Sequence, residues 1–314
     1  MNPEVLRVPV ENNVFHRLEL LKRSQNDRRR FREFFVEGVK GIKQARAHGW
    51  PIRSLVYASG RPLSSWGRDM LAANPEATPI ELSPALMDRL SDKHEPSELV
   101  AIVGMPPDSP GRIKPSAEAL VAVVDRPSTP GNLGSIIRSS HALGADGVIV
   151  TGSGTDIYHP LTVRASMGSL FVLPTVRLES HVELASWVRE LATAQGRPGR
   201  DRGSKSRIHI VGASSDAGLP ADTVDLTLPT VLVFGNEATG LSPEYQDLCD
   251  TLVRIPMHAE ADSINVACAA AILLYEVDRQ RRAKRRMPPR PWSRPRRDQG
   301  LRIDKEDGTP TRRP

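Results

Sequence analysis

Aromatic side chains are scarce in this 314-residue chain, at 4%. A core must therefore be built from Val, Leu, Ile and Ala, within a hydrophobic share of 39%. Cysteine is scarcer still. Cys249 and Cys268 are the only two, too few for a disulfide scaffold or a cysteine-rich zinc site, and they read as two buried thiols in a reducing cytoplasm. The longest apolar run, Val266 to Tyr275, falls short of the ~20 residues that span a bilayer. The opening MNPEVLRVPVENN contains acids and no apolar stretch, so no secretory signal is visible.

Familiar catalytic signatures are missing as well. No G-x-x-x-x-G-K-[ST] occurs, which disfavours P-loop phosphoryl transfer. Gly152-Ser153-Gly154 lacks the third glycine of a dinucleotide-binding turn, and Gly212-Ala213-Ser214-Ser215-Asp216 ends in Asp where a nucleophile elbow needs Gly. The eight histidines are scattered, with no pair at metal-ligand spacing. No metal site is expected.

What is abundant is positive charge, unevenly spread. Residues 279–314 hold 14 Lys/Arg against four Asp/Glu, while residues 1–278 hold 29 against 33. The body is thus slightly acidic and the tail supplies the excess. A second basic cluster spans residues 17–46, with ten Lys/Arg and four acids, and includes Arg28, Arg29, Arg30 and Arg32. Such runs attract polyanions, or else form a solvated face.

The chain divides into a 1–27 extension, an α/β domain over 28–104, a linker over 105–117, a larger α/β domain over 118–280, and a disordered basic tail over 281–314. Four prolines mark the linker and six the tail. Residues 195–207, QGRPGRDRGSKSR, read as a surface loop. In the first domain, Phe34–Val36, Ser54–Ala58 and Leu99–Val103 read as strands, and Val39–Ala47 and Pro84–Leu90 as helices. In the second, strands are expected at Val121–Asp125, Gly147–Val150, Leu170–Leu173, Ile208–Val211, Val231–Phe234 and Leu252–Ile255. Helices fit at Asn132–Leu143, His181–Ala194, Pro243–Leu248 and Ser263–Arg279. Continuous apolar strands between helices imply a parallel sheet covered on both faces.

Three segments carry chemistry, each at the carboxyl end of an expected strand, where open α/β sheets place ligands. In Asp125–Gly144, Asn132 reads as a helix cap, and Arg138 falls about 140° off the apolar stripe at 100° per residue. In Val231–Glu244, Gly235 and Gly240 permit close backbone approach, and Glu237 sits where a charge must be paired or hydrogen-bonded. In Arg254–Glu276, a Pro-Met turn leads through Ser263, a plausible cap, and Asn265 into an apolar helix. Singly, each has a bland explanation as a capped helix or turn.

Taken in order, Asn132-Leu133-Gly134…Arg138…Gly144, Gly235-Asn236-Glu237…Gly240-Leu241 and Ile255-Pro256-Met257…Ser263-Ile264-Asn265-Val266 resemble the three motifs of the SpoU/TrmH family of RNA 2′-O-ribose methyltransferases, of the SPOUT class. Arg164-Ala165-Ser166-Met167-Gly168 also looks like a family segment. The match covers about residues 118–280, with Ile264 where the family usually has Leu. Arg32 to Gly38 is similar to the family's frequent N-terminal substrate-binding domain.

The resemblance implies a knotted parallel sheet flanked by helices, a smaller N-terminal RNA-binding domain, and a homodimer. It implies S-adenosyl-L-methionine, cradled by groups around Gly235, Ile255, Met257 and Ile264, and a ribosomal or transfer RNA substrate in the cytoplasm. The family proposal makes Arg138 the general base. A free guanidinium stays protonated, with a pKa above ~12, so Arg138 is better cast as holding the 2′-hydroxyl or its adjacent phosphate. Asn132 and Glu237 would orient Arg138 and the ribose, with Ser263 and Asn265 completing the polar wall. Arg28, Arg29, Arg30, Arg32 and Arg164 are the candidate RNA contacts. A non-catalytic RNA-binding protein on the same fold, or a base-methylating relative, are the competing readings.

Overall fold

A computed structural model of the chain describes residues 4–91, 97–196, 208–258 and 263–285. Most of the 195–207 loop and the tail beyond residue 285 lie outside these.

The first domain comprises β1 (Leu6–Val8), α1 (Asn13–Arg23), α2 (Gln25–Phe31), β2 (Glu33–Glu37), α3 (Val39–Ala47), β3 (Ile52–Ala58), α4 (Ser65–Ala72), β4 (Thr78–Leu82), α5 (Pro84–Leu90) and β5 (Val100–Gly104). Its sheet runs β1-β4-β3-β5-β2. Within the expected 1–27 extension, residues 6–27 instead help build this domain. β1 pairs in parallel with β4, and α1 buries Phe15, Leu18 and Leu21 against Val56, Leu82 and Leu90. Asn12 starts α1 by accepting from the backbone N–H groups of Val14 and Phe15. A three-residue strand leaves too little periodicity to read, which is why sequence pattern placed the boundary late.

The second domain comprises β6 (Leu120–Asp125), α6 (Pro130–Ala142), β7 (Gly147–Thr151), α7 (Pro160–Ala165), β8 (Thr175–Leu178), α8 (His181–Ala194), β9 (His209–Ala213), β10 (Leu219–Pro220), β11 (Thr230–Phe234), α9 (Pro243–Leu248), β12 (Thr251–Arg254) and α10 (Val266–Lys284). All seven strands are parallel, in the order β10-β12-β9-β11-β6-β7-β8. Both faces are apolar, as continuous Val/Ile/Leu runs require. Leu120, Ala122, Val124, Leu232 and Phe234 face the α6 and α10 side; Val121, Val123, Val231 and Val233 face α8 and α9. The chain leaves β6 toward β7 and β8, then returns to the opposite side of β6. The loops after β6 and β11 therefore emerge side by side, at the point where the strand order reverses.

Leu170–Leu173 is not a strand. Ser169–Phe171 form a 3-10 turn and the strand begins after Pro174, at Thr175. The run is apolar because it faces the other domain: Phe171 packs edge-on against Trp50, whose indole N–H donates to the Phe171 carbonyl at 2.9 Å. No helix among the described residues is long and apolar enough to cross a membrane.

The domains are also joined by charge, and this corrects one candidate RNA contact. Arg28 is 1% exposed. Its Nε lies 2.7 Å from Asp156 Oδ2, and its Nη1 donates to the carbonyls of Leu21 and Lys22. A guanidinium enclosed in this way is not available to a phosphate. Removing one partner of a buried ion pair typically costs about 3–5 kcal/mol. Arg28→Ala should therefore destabilise the protein by that order in urea unfolding, and an unchanged midpoint would show the pair to be idle.

Arg281, placed in the tail by sequence, is likewise structural. It is buried at the end of α10 and donates to the carbonyls of Glu118, Ala119 and Leu228.

Candidate active site

The carboxylate of Glu237 organises the site. It follows β11 and reaches the start of α6, where four donors meet it. Oε2 accepts from the Ser128 N–H at 2.8 Å and the Ser128 hydroxyl at 2.7 Å. Oε1 accepts from the Thr129 N–H at 3.0 Å and the Asn132 side-chain amide at 3.2 Å. The free N–H groups and partial positive charge of a helix start favour an anion there. Partial burial pushes the Glu237 pKa up, but the donors of Ser128 and Asn132 outweigh it and hold the pKa down at about 2. Glu237 is thus an ionised anchor and a poor proton acceptor at neutral pH.

Asn132 passes the order on. Its Oδ1 accepts from Asn265 Nδ2 at 3.0 Å, so one chain of hydrogen bonds links the three motifs. The caps differ from expectation. Pro130 occupies the first turn of α6 and Thr129 is its N-cap, because proline pre-sets the backbone dihedral a helix start needs. Asn132 is thereby left inside the first turn with its amide free for the site. Asn265, not Ser263, caps α10, accepting from the N–H groups of Ala267 and Cys268.

Beside this wall lies a cavity of about 710 Å³. Asn132, Gly235, Glu237, Ile255, Met257, Ser263, Ile264 and Asn265 all line it. Arg138 does not; it is exposed, further along α6. Gly235 is where the walls come closest: a Cβ built there would sit 2.1 Å from the Gly240 carbonyl carbon and 2.2 Å from the Leu241 nitrogen. The loop that approaches so closely is closed by reciprocal backbone bonds between Asn236 and Gly240, the latter at φ +66°. Asn236 also ties this loop to the first motif, donating from Nδ2 to the Arg126 carbonyl at 2.7 Å.

Sequence reasoning passed over Ser128 and Thr129 as ligands of Glu237. It also tested Ala213–Asp216 only as a nucleophile elbow, although Ser214, Ser215 and Asp216 line the cavity beyond β9. Their position after an expected strand was the available signal. Of the basic candidates, Arg29, Arg30, Arg32 and Arg164 are exposed. Arg30 lies over the Phe31 ring, and Arg32 reaches the Pro106 carbonyl.

The SpoU rRNA methylase family model matches residues 119–275, and the SpoU L30e-like domain model matches residues 12–101. A 23S rRNA (uridine(2479)-2′-O)-methyltransferase of Streptomyces viridochromogenes is 43% identical over 280 residues, covering 89% of this chain and 94% of that protein. The chain belongs to the SpoU methylase family. The crystal structure of the SpoU methyltransferase AviRb from the same organism, in complex with AdoMet, superposes with a TM-score of 0.80 at 43% identity, over 86% of this chain and 98% of that one. A Bacillus subtilis 23S rRNA (guanosine(2553)-2′-O)-methyltransferase is 29% identical over 62% of this chain and 71% of its own. The names of these two relatives place the 2′-O-methyl group on different nucleosides, uridine and guanosine.

The low pKa of Glu237 makes a prediction about stability. The group's ordinary value is 4.5 and its folded value about 2. The stabilisation is therefore full above pH 4.5 and is lost as pH falls toward 2. After discounting for partial solvent exposure it is about 1–2 kcal/mol. Glu237→Gln should unfold at lower urea than wild type at pH 7, with the gap narrowing below pH 4.5. A gap that stays constant with pH would mean that the ionised carboxylate contributes nothing.

Proposed function

We propose that the protein transfers a methyl group from S-adenosylmethionine to a ribose 2′-hydroxyl of 23S ribosomal RNA. One observation carries the reading: Asn132, Glu237 and Asn265, from three separate motifs, are hydrogen-bonded into a single wall beside the cavity.

The residues present suit the cofactor. An adenine needs apolar walls and main-chain hydrogen-bonding groups. Leu241, Ile255, Met257 and Ile264 offer the walls, and Gly235, whose side-chain position is filled by the backbone of Gly240 and Leu241, offers main-chain groups at the cavity wall. When bound, S-adenosylmethionine supplies an electrophilic methyl on sulfonium. The chain's own part is alignment of the attacking oxygen, which can contribute several kcal/mol to lowering the barrier. Arg138 holds the 2′-hydroxyl or the neighbouring phosphate. Glu237 is a positioning residue that fixes Asn132, and Asn265 and Ser263 complete the polar wall.

Arg29, Arg30, Arg32 and Arg164 are exposed cations open to phosphates, and such contacts dominate RNA affinity. A ribosomal substrate places the enzyme in the cytoplasm. A homodimer is supported by the exposed apolar side chains Ile272 and Tyr275 on α10. A knotted chain path is supported by β12, which lies beyond β9 while the following α10 returns to pack on α6.

Nucleotide-resolution mapping of 2′-O-methyl groups in RNA from cells with and without the gene tests the reading. One ribosomal ribose should lose its methyl. No change in any RNA favours the non-catalytic alternative, and loss of a base methyl favours the base-methylating one.

A further inference from the structure

Arg29 and Arg32 of the first domain meet Arg177 of the second around a small hollow at the domain seam, which shares no lining residue with the cavity described above. The hollow measures about 130 Å³, and Met105, Pro106 and Tyr158 are among its other walls. Two carboxylates border it. Asp156 is already bound to the buried Arg28, and Asp108 accepts the backbone N–H of Arg177 at 2.7 Å. Three guanidiniums therefore face the hollow with one carboxylate uncommitted to another Arg.

The side-chain hydrogen bonds of Arg177 and Arg32 go to carbonyls and not to carboxylates. Arg177 donates to two carbonyls, Gly152 at 2.6 Å and Thr155 at 2.7 Å. Arg32 donates to the Pro106 carbonyl at 3.0 Å. Among the described residues the Arg29 side chain has no hydrogen bond or ion pair, and its backbone carbonyl accepts from the Arg32 N–H. Burial first, and then the charge of Arg29, push the Arg177 pKa down against the opposing pull of Asp156, Asp108 and Glu179, so Arg29 and Arg177 lie close enough to repel each other. Carbonyl anchors fix a guanidinium in place without neutralising it. A phosphate matches what remains, since the guanidinium fork pairs with its oxygens. Arg29 and Arg32 are exposed, so a phosphate carried on a polymer can reach them.

We propose that this seam seats one backbone phosphate of the ribosomal RNA substrate, remote from the methylated ribose. The proposal rests on the methyltransferase reading above. Because the seat takes side chains from both domains, it forms only while they are docked. RNA bound there registers the first domain against the second, and so sets which ribose lies at the cavity.

The test uses the full-length protein and transcribed 23S rRNA, with filter binding over a range of salt. Arg29→Gln and Arg32→Gln should each weaken binding about fivefold and raise KM for the RNA. Each should flatten the plot of log K against log salt by ~0.7–0.9, the share of one phosphate contact. Calorimetric affinity for S-adenosylmethionine should be retained. Arg29→Lys should recover most of the loss, and Arg189→Gln, which removes an exposed charge on α8, should leave the slope alone. An unchanged slope in Arg29→Gln overturns the seat, as does an equal loss in Arg189→Gln. Wild-type protein that methylates no ribosomal RNA would remove the underlying reading instead, a failure visible before any variant is made.

Discussion

Gly235→Ala is expected to abolish S-adenosylmethionine binding. The added Cβ would meet backbone atoms of Gly240 and Leu241 at 2.1 and 2.2 Å, far inside van der Waals contact. Backbone atoms cannot swing aside as a flexible side chain can, so the 236–240 loop must shift. That loop holds Glu237 against Ser128 and Thr129 and lines the cavity. The substitution therefore disturbs the cavity wall and the anchor of the first motif together. Titration calorimetry should show affinity lowered at least about 100-fold, and unfolding should show a cost of about 1–3 kcal/mol from overpacking. A Gly235→Ala protein with wild-type affinity would mean that the close approach of these loops does not form the cofactor site.

Arg138→Ala should separate chemistry from cofactor binding. Arg138 sits on α6 six residues beyond Asn132, about 9 Å along the helix axis at 1.5 Å per residue. It is exposed and does not line the cavity. Removing it should leave S-adenosylmethionine affinity within about twofold. Methyl transfer should nevertheless fall by about 100-fold or more, the range for losing a group that positions or activates the attacking hydroxyl. Arg138→Lys keeps the charge but not the fork, and should retain part of the rate if charge alone matters. Turnover of a tritiated methyl group is the readout. Unchanged turnover in Arg138→Ala would reject the assignment, and loss of cofactor affinity would show that Arg138 supports the fold of the cavity instead.

The parts of the molecule legible in the sequence share a physical basis. His181–Ala194 and Pro243–Leu248 coincide with α8 and α9, because a helical stripe, or a proline after a serine, is local information. The parallel sheet followed from uninterrupted apolar strands, which only burial on both faces explains. The misread elements are those whose apolar residues answer to distant partners. Leu170–Leu173 looked like a strand because it packs against Trp50 across the seam. Residues 1–27 looked peripheral because their three-residue strand acquires meaning only beside β4.

By itself, the order of amino acids determined an α/β chain with three glycine- and amide-bearing strand ends, a basic tail, and a resemblance to ribose methyltransferases. These follow from composition and short-range spacing. Tertiary structure decided what each charge does. Arg28 and Arg281 became internal ties, Glu237 became the clasp of α6, and Arg29, Arg32 and Arg177 came to face one another. A charged side chain's role depends on which partners surround it and how much water remains, and those partners lie up to 163 positions away in the chain.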